Sequence, residues 1–185
     1  MMINKKAFRK KKRAEISVLP QDYIERSNEA ITERLLALPE FQQAKRLFAY
    51  CSVDREVDTQ AIIKAAAELG KEIFLPVVLG NGIMEYARFE SESLLSMGSL
   101  RIPEPGRDAE RDTPNAEDLF LVPGLCFDAN RFRQGQGGGY YDRYLPGLPC
   151  PTVGLARERL MPVAVPRETH DMAVDILLTE SRTLR

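Results

Sequence analysis

Residues 119–144 read LFLVPGLCFDANRFRQGQGGGYYDRY. An apolar run of strand character ends in Pro123-Gly124, and a short polar segment follows. Gly135, Gln136, Gly137, Gly138 and Gly139 come next, and then Tyr140, Tyr141 and Asp142. The pattern predicts a buried strand that feeds a loop of nearly bare backbone, which in turn feeds a helix start. Such loops suit phosphate, because glycine lets backbone N–H groups approach an anion and a helix N-terminus favours negative charge. A plain flexible turn is the alternative.

Working outward, the segments upstream alternate in kind. Arg46–Ser52 has strand character, Asp58 or Thr59 caps an apolar-faced helix that runs to Leu69 and is stopped by Gly70, and Glu72–Leu79 reads as a second strand. Strand, helix, strand over this length is a βαβ unit and implies a parallel sheet. In such sheets ligands sit beyond the carboxyl ends of the strands. Glu56 follows a strand and so lies on that edge, as a ligand contact or as a solvated carboxylate. Gly80-Asn81-Gly82 predicts a hairpin between residues 74–79 and 83–89. Residues 90–116, with Pro103 and Pro105, read as extended chain rather than helix. Thr152–Ala156 and Val174–Leu178 complete the strands.

Towards the N-terminus, residues 3–18 form a basic helix and residues 21–38 a covering helix, with Asp22 as N-cap and Pro39 as stop. The basic helix is a solvated face, a nucleic-acid or membrane contact, or an anion-binding element. Lys5 and Arg9 are four residues apart and share one face, so both can reach one phosphate. The expected fold is an α/β single domain over residues 1–185, three layers deep, with a central, mostly parallel sheet flanked by helices.

Composition narrows the function classes. The chain has 185 residues, is 44% hydrophobic and 29% charged, and carries a net charge of -1, so it is no nucleic-acid-binding polycation. Cys51, Cys126 and Cys150 form no C-x-x-C pair, which fits a reducing cytoplasm. No run approaches the roughly 20 apolar residues of a bilayer span, and no signal-peptide core follows the basic start. The glycine loop is neither a Rossmann fingerprint, since Tyr140 stands where the third glycine belongs, nor a Walker A loop, and no G-x-S-x-G exists. Asp142 either stabilises the helix start or holds Mg²⁺ against bound phosphate, with Asp171 and Asp175 as partner carboxylates. His170, the single histidine, suits a structural role better than imidazole catalysis.

VPGLCFD (122–128), R-x-G-x-G-G-G-Y-Y-D-R (133–143) and HDMAVD (170–175) resemble the 5-formyltetrahydrofolate cyclo-ligases. Lys5 with Arg9, REVDT (55–59), GKEIFLPVV (70–78) and IPEP (102–105) support the likeness, which runs nearly end to end. The resemblance implies conversion of 5-formyltetrahydrofolate to 5,10-methenyltetrahydrofolate with ATP and Mg²⁺, through a phosphorylated imidate that N10 closes. It implies that Lys5 and Arg9 contact ATP phosphates, and that Arg133 and the loop from Gly135 to Tyr141 wrap the nucleotide. Arg133 and Tyr140 are the implied catalytic residues. Cys51 and Glu56 fall at pterin contacts, and Gln136, Gly137, Gly138, Gly139 and Tyr140 face both ligands. Asp142 and Asp171 match metal positions. The implied partners are small molecules, with no nucleic acid and no membrane, and the implied form is a cytoplasmic monomer. Gln134 replaces a leucine common in the family, and Gln136 stands where some members carry arginine. Competing readings are a nucleotide- or nucleic-acid-binding protein using the basic helix, and a folate-binding protein of this fold without catalysis.

Overall fold

The computed structural model describes residues 4–169 and 171–185, so the reading of His170 falls outside the described residues. The chain opens with α1 (Lys5–Ser17), α2 (Gln21–Leu36) and the short α3 (Pro39–Gln43). The βαβ unit follows as β1 (Arg46–Phe48), α4 (Gln60–Glu68) and β2 (Glu72–Gly80). Next come β3 (Ile83–Phe89), β4 (Leu95–Met97), β5 (Pro103–Pro105), β6 (Arg111–Asp112), β7 (Leu119–Val122), β8 (Cys126–Phe127) and β9 (Arg133–Gln134). Helix α5 (Tyr140–Tyr144) starts at the glycine loop, and β10 (Thr152–Leu155), β11 (Ile176–Leu178) and β12 (Thr183–Leu184) close the chain.

Eight strands form one sheet in the order β12-β11-β10-β7-β1-β2-β3-β6. The central run from β11 to β2 is parallel, and antiparallel strands finish both edges. Each parallel strand is apolar on both faces, as a sheet covered on both sides requires. The period of two sorts the side chains. Leu47, Ile73, Leu75, Leu119, Leu121, Ile176 and Leu178 meet Ile31, Leu35, Phe41, Ile62 and Ala66 of α2, α3 and α4. Phe48, Phe74, Phe120, Val122 and Leu177 point the other way, towards α5 and the loops around it. This second layer is thin in helix and rich in rings: Phe48 stacks on Phe74 at 4.8 Å, and Tyr86 and Tyr144 pack against Phe120 at 5.1 and 5.6 Å.

Several local expectations shift for identifiable reasons. The strand read at Arg46–Ser52 ends at Phe48, because the chain leaves the sheet once Ala49 has donated to Phe74. Pro20 rather than Asp22 is the N-cap of α2, and Asp22 pairs instead with Arg26 in the first turn. Pro39 does not only stop a helix: it opens α3, where its missing N–H costs nothing. The segment from 90 to 116, read as extended, forms the β4–β5 hairpin and β6, with the Pro-Glu-Pro stretch as one arm of that hairpin. The final strand begins at Ile176, and β12 was not anticipated. Residues 80–82 turn the β2–β3 hairpin with all three φ angles positive.

Helix α1 does not lie on the sheet. Phe8 joins Tyr23, Ile24, Cys126, Leu160 and Val165 in a separate cluster above the carboxyl edge. Lys12, 5% exposed, donates to the carbonyl of Leu160 at 3.0 Å and to Glu15 at 2.6 Å. This docking sets the adjoining stripe of α1, with Arg9 against Gly137, Arg13 on Gln136 and Lys5 on Asp171 and Glu168.

Gln134 is 4% exposed, and its Oε1 has no hydrogen-bond partner among the described residues. Its amide nitrogen donates only to the neighbouring Gly135 carbonyl, at 3.1 Å. A buried polar oxygen left unpaired costs about 1–3 kcal/mol, so Gln134→Leu is expected to stabilise the fold by about 1 kcal/mol. A thermal melt should rise by roughly 2–4 °C; an unchanged or lower midpoint refutes this account of residue 134.

Candidate active site

The loops that leave the carboxyl ends of β1, β7 and β10 meet above the sheet. The β1 loop brings Glu56, the β7 loop brings the glycine segment, and the chain after β10 brings Arg157. Two cavities lie among them, sharing Tyr50, Val53, Glu56, Gly124 and Gln136 as a common wall. The smaller, about 170 Å³, has an apolar side of Cys51, Pro76, Val78, Met84 and Ile102. Its opposite side is Arg133, the loop 135–139, Tyr140, Tyr141 and Asp142. The larger, about 490 Å³, is bordered by Arg13, Arg55 and Arg157.

The glycines of the loop are where arginines fit. A Cβ at Gly135 would stand 2.7 Å from Nη1 of Arg133, one at Gly137 would stand 3.3 Å from Cζ of Arg9, and one at Gly139 would stand 2.6 Å from Nη1 of Arg143. Gly137 and Gly139 also have φ of 107° and 72°, which glycine alone adopts freely. A Cβ at Gly138 would press on the Tyr140 ring at 2.8 Å. None of the N–H groups of residues 136–139 donates to a backbone carbonyl among the described residues. Bare amides ringed by guanidinium groups make an anion site.

Arg133 is well enclosed, with a side chain 6% exposed. It pairs with Asp142, donates to the Pro123 carbonyl at 3.4 Å and lies 5.6 Å from the centre of the Tyr141 ring. Tyr141 is the core member of the tyrosine pair. Its hydroxyl meets that of Tyr86 at 3.3 Å, and burial pushes its ionisation well up. Tyr140 lies over Gly138 and lines the smaller cavity.

Lys5 and Arg9 share a face but not a partner. Lys5 pairs with Asp171 at 2.8 Å and Glu168 at 3.2 Å, while Arg9 lies against Gly137. The two carboxylates expected at a metal, Asp142 and Asp171, are thus each held by a cation, Arg133 and Lys5. No group of three or more His, Cys, Asp or Glu side chains suited to a metal occurs among the described residues. Asp175, the other carboxylate considered, is committed to the fold, accepting from the Thr152 N–H and hydroxyl at 2.8 and 2.7 Å.

Glu56 lines both cavities. Its Oε2 accepts from the Val53 N–H at 3.1 Å, and Gln136 donates to its Oε1 at 3.5 Å. Burial pushes its carboxyl above the usual range, against the pull of those two donors. The Cys51 thiol is pushed up to about 11, first by burial and then by Glu104, so it is a neutral wall group rather than a nucleophile. Gln136, which has no charge of its own, receives one: Arg13 donates to its Oε1 at 2.9 Å.

A model of the 5-formyltetrahydrofolate cyclo-ligase family matches residues 1–180. The chain belongs to the 5-formyltetrahydrofolate cyclo-ligase family. It is an enzyme of the ligase class. Among its relatives, the 5-formyltetrahydrofolate cyclo-ligase of Mus musculus is 34% identical over 81% of this chain and 80% of that protein. The cyclo-ligase of Escherichia coli K12 is 29% identical over 95% and 97%. The structure of Aquifex aeolicus 5,10-methenyltetrahydrofolate synthetase superposes with a TM-score of 0.87 at 33% identity, covering 99% of this chain and 93% of that one. A Mycoplasma pneumoniae synthetase, 20% identical with a TM-score of 0.76 over 96% and 99%, shares the fold.

Within this cyclo-ligase fold, four cations near the cavities and the glycine loop were not anticipated: Arg13, Arg55, Arg143 and Arg157. Arg13 continues the spacing of Lys5 and Arg9 by one more turn, so the helix periodicity could have found it. Arg143 closes the glycine motif and bonds the Gly139 carbonyl at 3.0 Å. Arg157 is a charge two residues beyond the apolar strand TVGL, which the strand-edge rule could have flagged. No helix among the described residues is long and apolar enough to cross a membrane.

The raised carboxyl of Glu56 has a stability consequence. Folding favours its protonated form, so its contribution is fully present below the unfolded pKa of roughly 4.3. That contribution is lost as pH rises through the higher folded value. Glu56→Gln should therefore melt above the parent protein near neutral pH, with the gap closing towards pH ~4. A gap independent of pH in calorimetric scans contradicts this.

Proposed function

We propose that this chain converts 5-formyltetrahydrofolate to 5,10-methenyltetrahydrofolate, with ATP as co-substrate and release of ADP and phosphate, acting as one domain over residues 1–185. Family membership supports the overall reaction. The observation that carries the ATP part is the ring of Arg9, Arg133 and Arg143 on bare glycine backbone, next to an apolar slot that ends at Glu56.

Phosphoryl transfer asks a protein for positioning and charge neutralisation more than for a nucleophile, and this site offers cations and amides. In this reading the pterin enters the smaller cavity against Cys51, Pro76, Val78 and Met84, with its N–H groups on Glu56. The formyl oxygen attacks the γ-phosphorus, an O–P bond forms, and ADP leaves with the electrons of the broken bond. N10 then attacks the activated carbon and loses its proton, and phosphate leaves with the C–O electrons. Arg133 steadies the transferring phosphoryl group and Tyr140 closes the loop over the reacting atoms. Arg9 and the amides of residues 136–139 hold the phosphate chain, and Lys5 reaches it from α1.

Asp142 and Asp171 suit Mg²⁺, which takes one or two carboxylates and fills its remaining positions with phosphate oxygens and water. When bound, Mg²⁺ would neutralise phosphate charge. Arg133 and Lys5 pair with these carboxylates, so a metal taking the carboxylates would free the two cations for phosphate.

The direct test is spectrophotometric: purified protein, ATP, Mg²⁺ and 5-formyltetrahydrofolate should yield the methenyl product. Absence of turnover with fresh substrate and metal would sink the proposal. Asp142→Asn should lower kcat by ~10²-fold, the scale of one lost charge-stabilising group, with partial recovery at higher Mg²⁺. Unchanged kinetics would return Asp142 to a helix-start role. Lys5→Ala should raise the KM for ATP more than that for the folate; the reverse order counts against its phosphate assignment.

A further inference from the structure

Arg157 stands at the end of β10 and is 2% exposed. Its guanidinium donates to Ser27 Oγ at 2.9 Å and to Asn28 Oδ1, both on α2. It also donates to the backbone carbonyls of Arg55 at 2.7 Å and Glu56 at 3.1 Å. All four acceptors are neutral oxygens. A guanidinium stays protonated even when burial lowers its pKa, as it does here. Among the described residues no counter-charge touches it; a buried charge in that state is costly, and an apolar side chain of similar length would fill this space at less cost.

The loop it grips is tight. Glu56 N–H donates to the Val53 carbonyl at 3.0 Å, and Asp54 between them has φ of 51°, a left-handed conformation that few residues adopt readily. Asn28, one of the acceptors of Arg157, also takes the Asp58 N–H at 3.3 Å. The fork therefore clamps the loop to α2 from behind, while the Glu56 side chain leaves from the front into the wall between the two cavities.

We propose that Arg157 is a positioning residue for the folate: by holding the carbonyls of Arg55 and Glu56 it sets where the Glu56 carboxylate meets the pterin. The proposal rests on the assignment of Glu56 to the folate. Two features make the geometry specific. One planar fork bonds two successive carbonyls and two α2 side chains, which a lysine ammonium cannot span. The charge of Arg157 also favours the carboxylate form of Glu56, opposing the effect of burial and of the neighbouring Asp54.

The test is a double-mutant cycle in the full chain with Arg157→Met, Glu56→Gln and the double variant, each checked for folding by circular dichroism. Folate and ATP KM are measured by the methenyl assay, and folate binding by calorimetry. Arg157→Met is expected to raise the folate KM and dissociation constant by ~10-fold while moving the ATP KM less than ~2-fold. In the Glu56→Gln background the same change should add less than ~2-fold. Additive effects, or an equal rise in the ATP KM, overturn the proposal. Should Arg157→Met fail to fold, Arg157→Lys decides: it keeps the charge but not the fork, so a raised folate KM supports the proposal and an unchanged one overturns it. A parent protein that neither binds nor turns over 5-formyltetrahydrofolate removes the assignment of Glu56 itself. An active parent with additive variants removes only the role of Arg157.

Discussion

The approach of guanidinium groups to bare backbone at residues 135–139 is the constraint on which the site depends. Arg133, Arg9 and Arg143 occupy the volumes that side chains at positions 135, 137 and 139 would fill. They come from three directions: the strand before the loop, helix α1 and helix α5. The loop is thereby held by cations without losing its own amide donors, because none of the N–H groups of residues 136–139 donates to a backbone carbonyl among the described residues. Three positive groups gathered without a matching set of carboxylates would repel one another. Arg133 is relieved by Asp142, and the other two lie towards solvent and towards carbonyl oxygens.

That arrangement requires the sheet beneath it to be rigid. The aromatic layer of Phe48, Phe74, Phe120 and Tyr86 provides a floor, and Tyr141 ties α5 to it through the Tyr86 hydroxyl. α1 must also be fixed, although it lies off the sheet. Phe8 and the buried Lys12 do this from its inner face, which leaves Lys5, Arg9 and Arg13 pointing at the ligand side. The buried lysine and the adjoining basic stripe are thus two consequences of one docked helix.

Much of this was legible in the chain. The alternation of apolar strands with one amphipathic helix announced a parallel sheet, and the strand-edge rule placed Glu56 beyond the carboxyl ends of its strands. The i, i+4 spacing put Lys5 and Arg9 on one face. The gaps have physical causes. Strand ends depend on partners rather than on composition, so the first strand looked longer than it is. Pro-Glu-Pro looked like stiff connection, but an edge arm of a hairpin tolerates proline and needs few of its N–H groups. Arg157 was overlooked because a single charge in sequence does not reveal whether it ends in water or under a loop.

What the sequence by itself determined is the central strands and the main helices, their order, the glycine loop and the family, because these rest on local periodicity and on motifs that stay contiguous in the chain. Only the tertiary structure decided which charges meet. It paired Lys5 with Asp171 across 166 positions, Arg13 with Gln136 across 123, and Arg157 with the Glu56 carbonyl across 101. Such pairings depend on how the loops at one sheet edge pack against α1 and α2, and side-chain electrostatics over a few ångströms carries no signature in residue spacing.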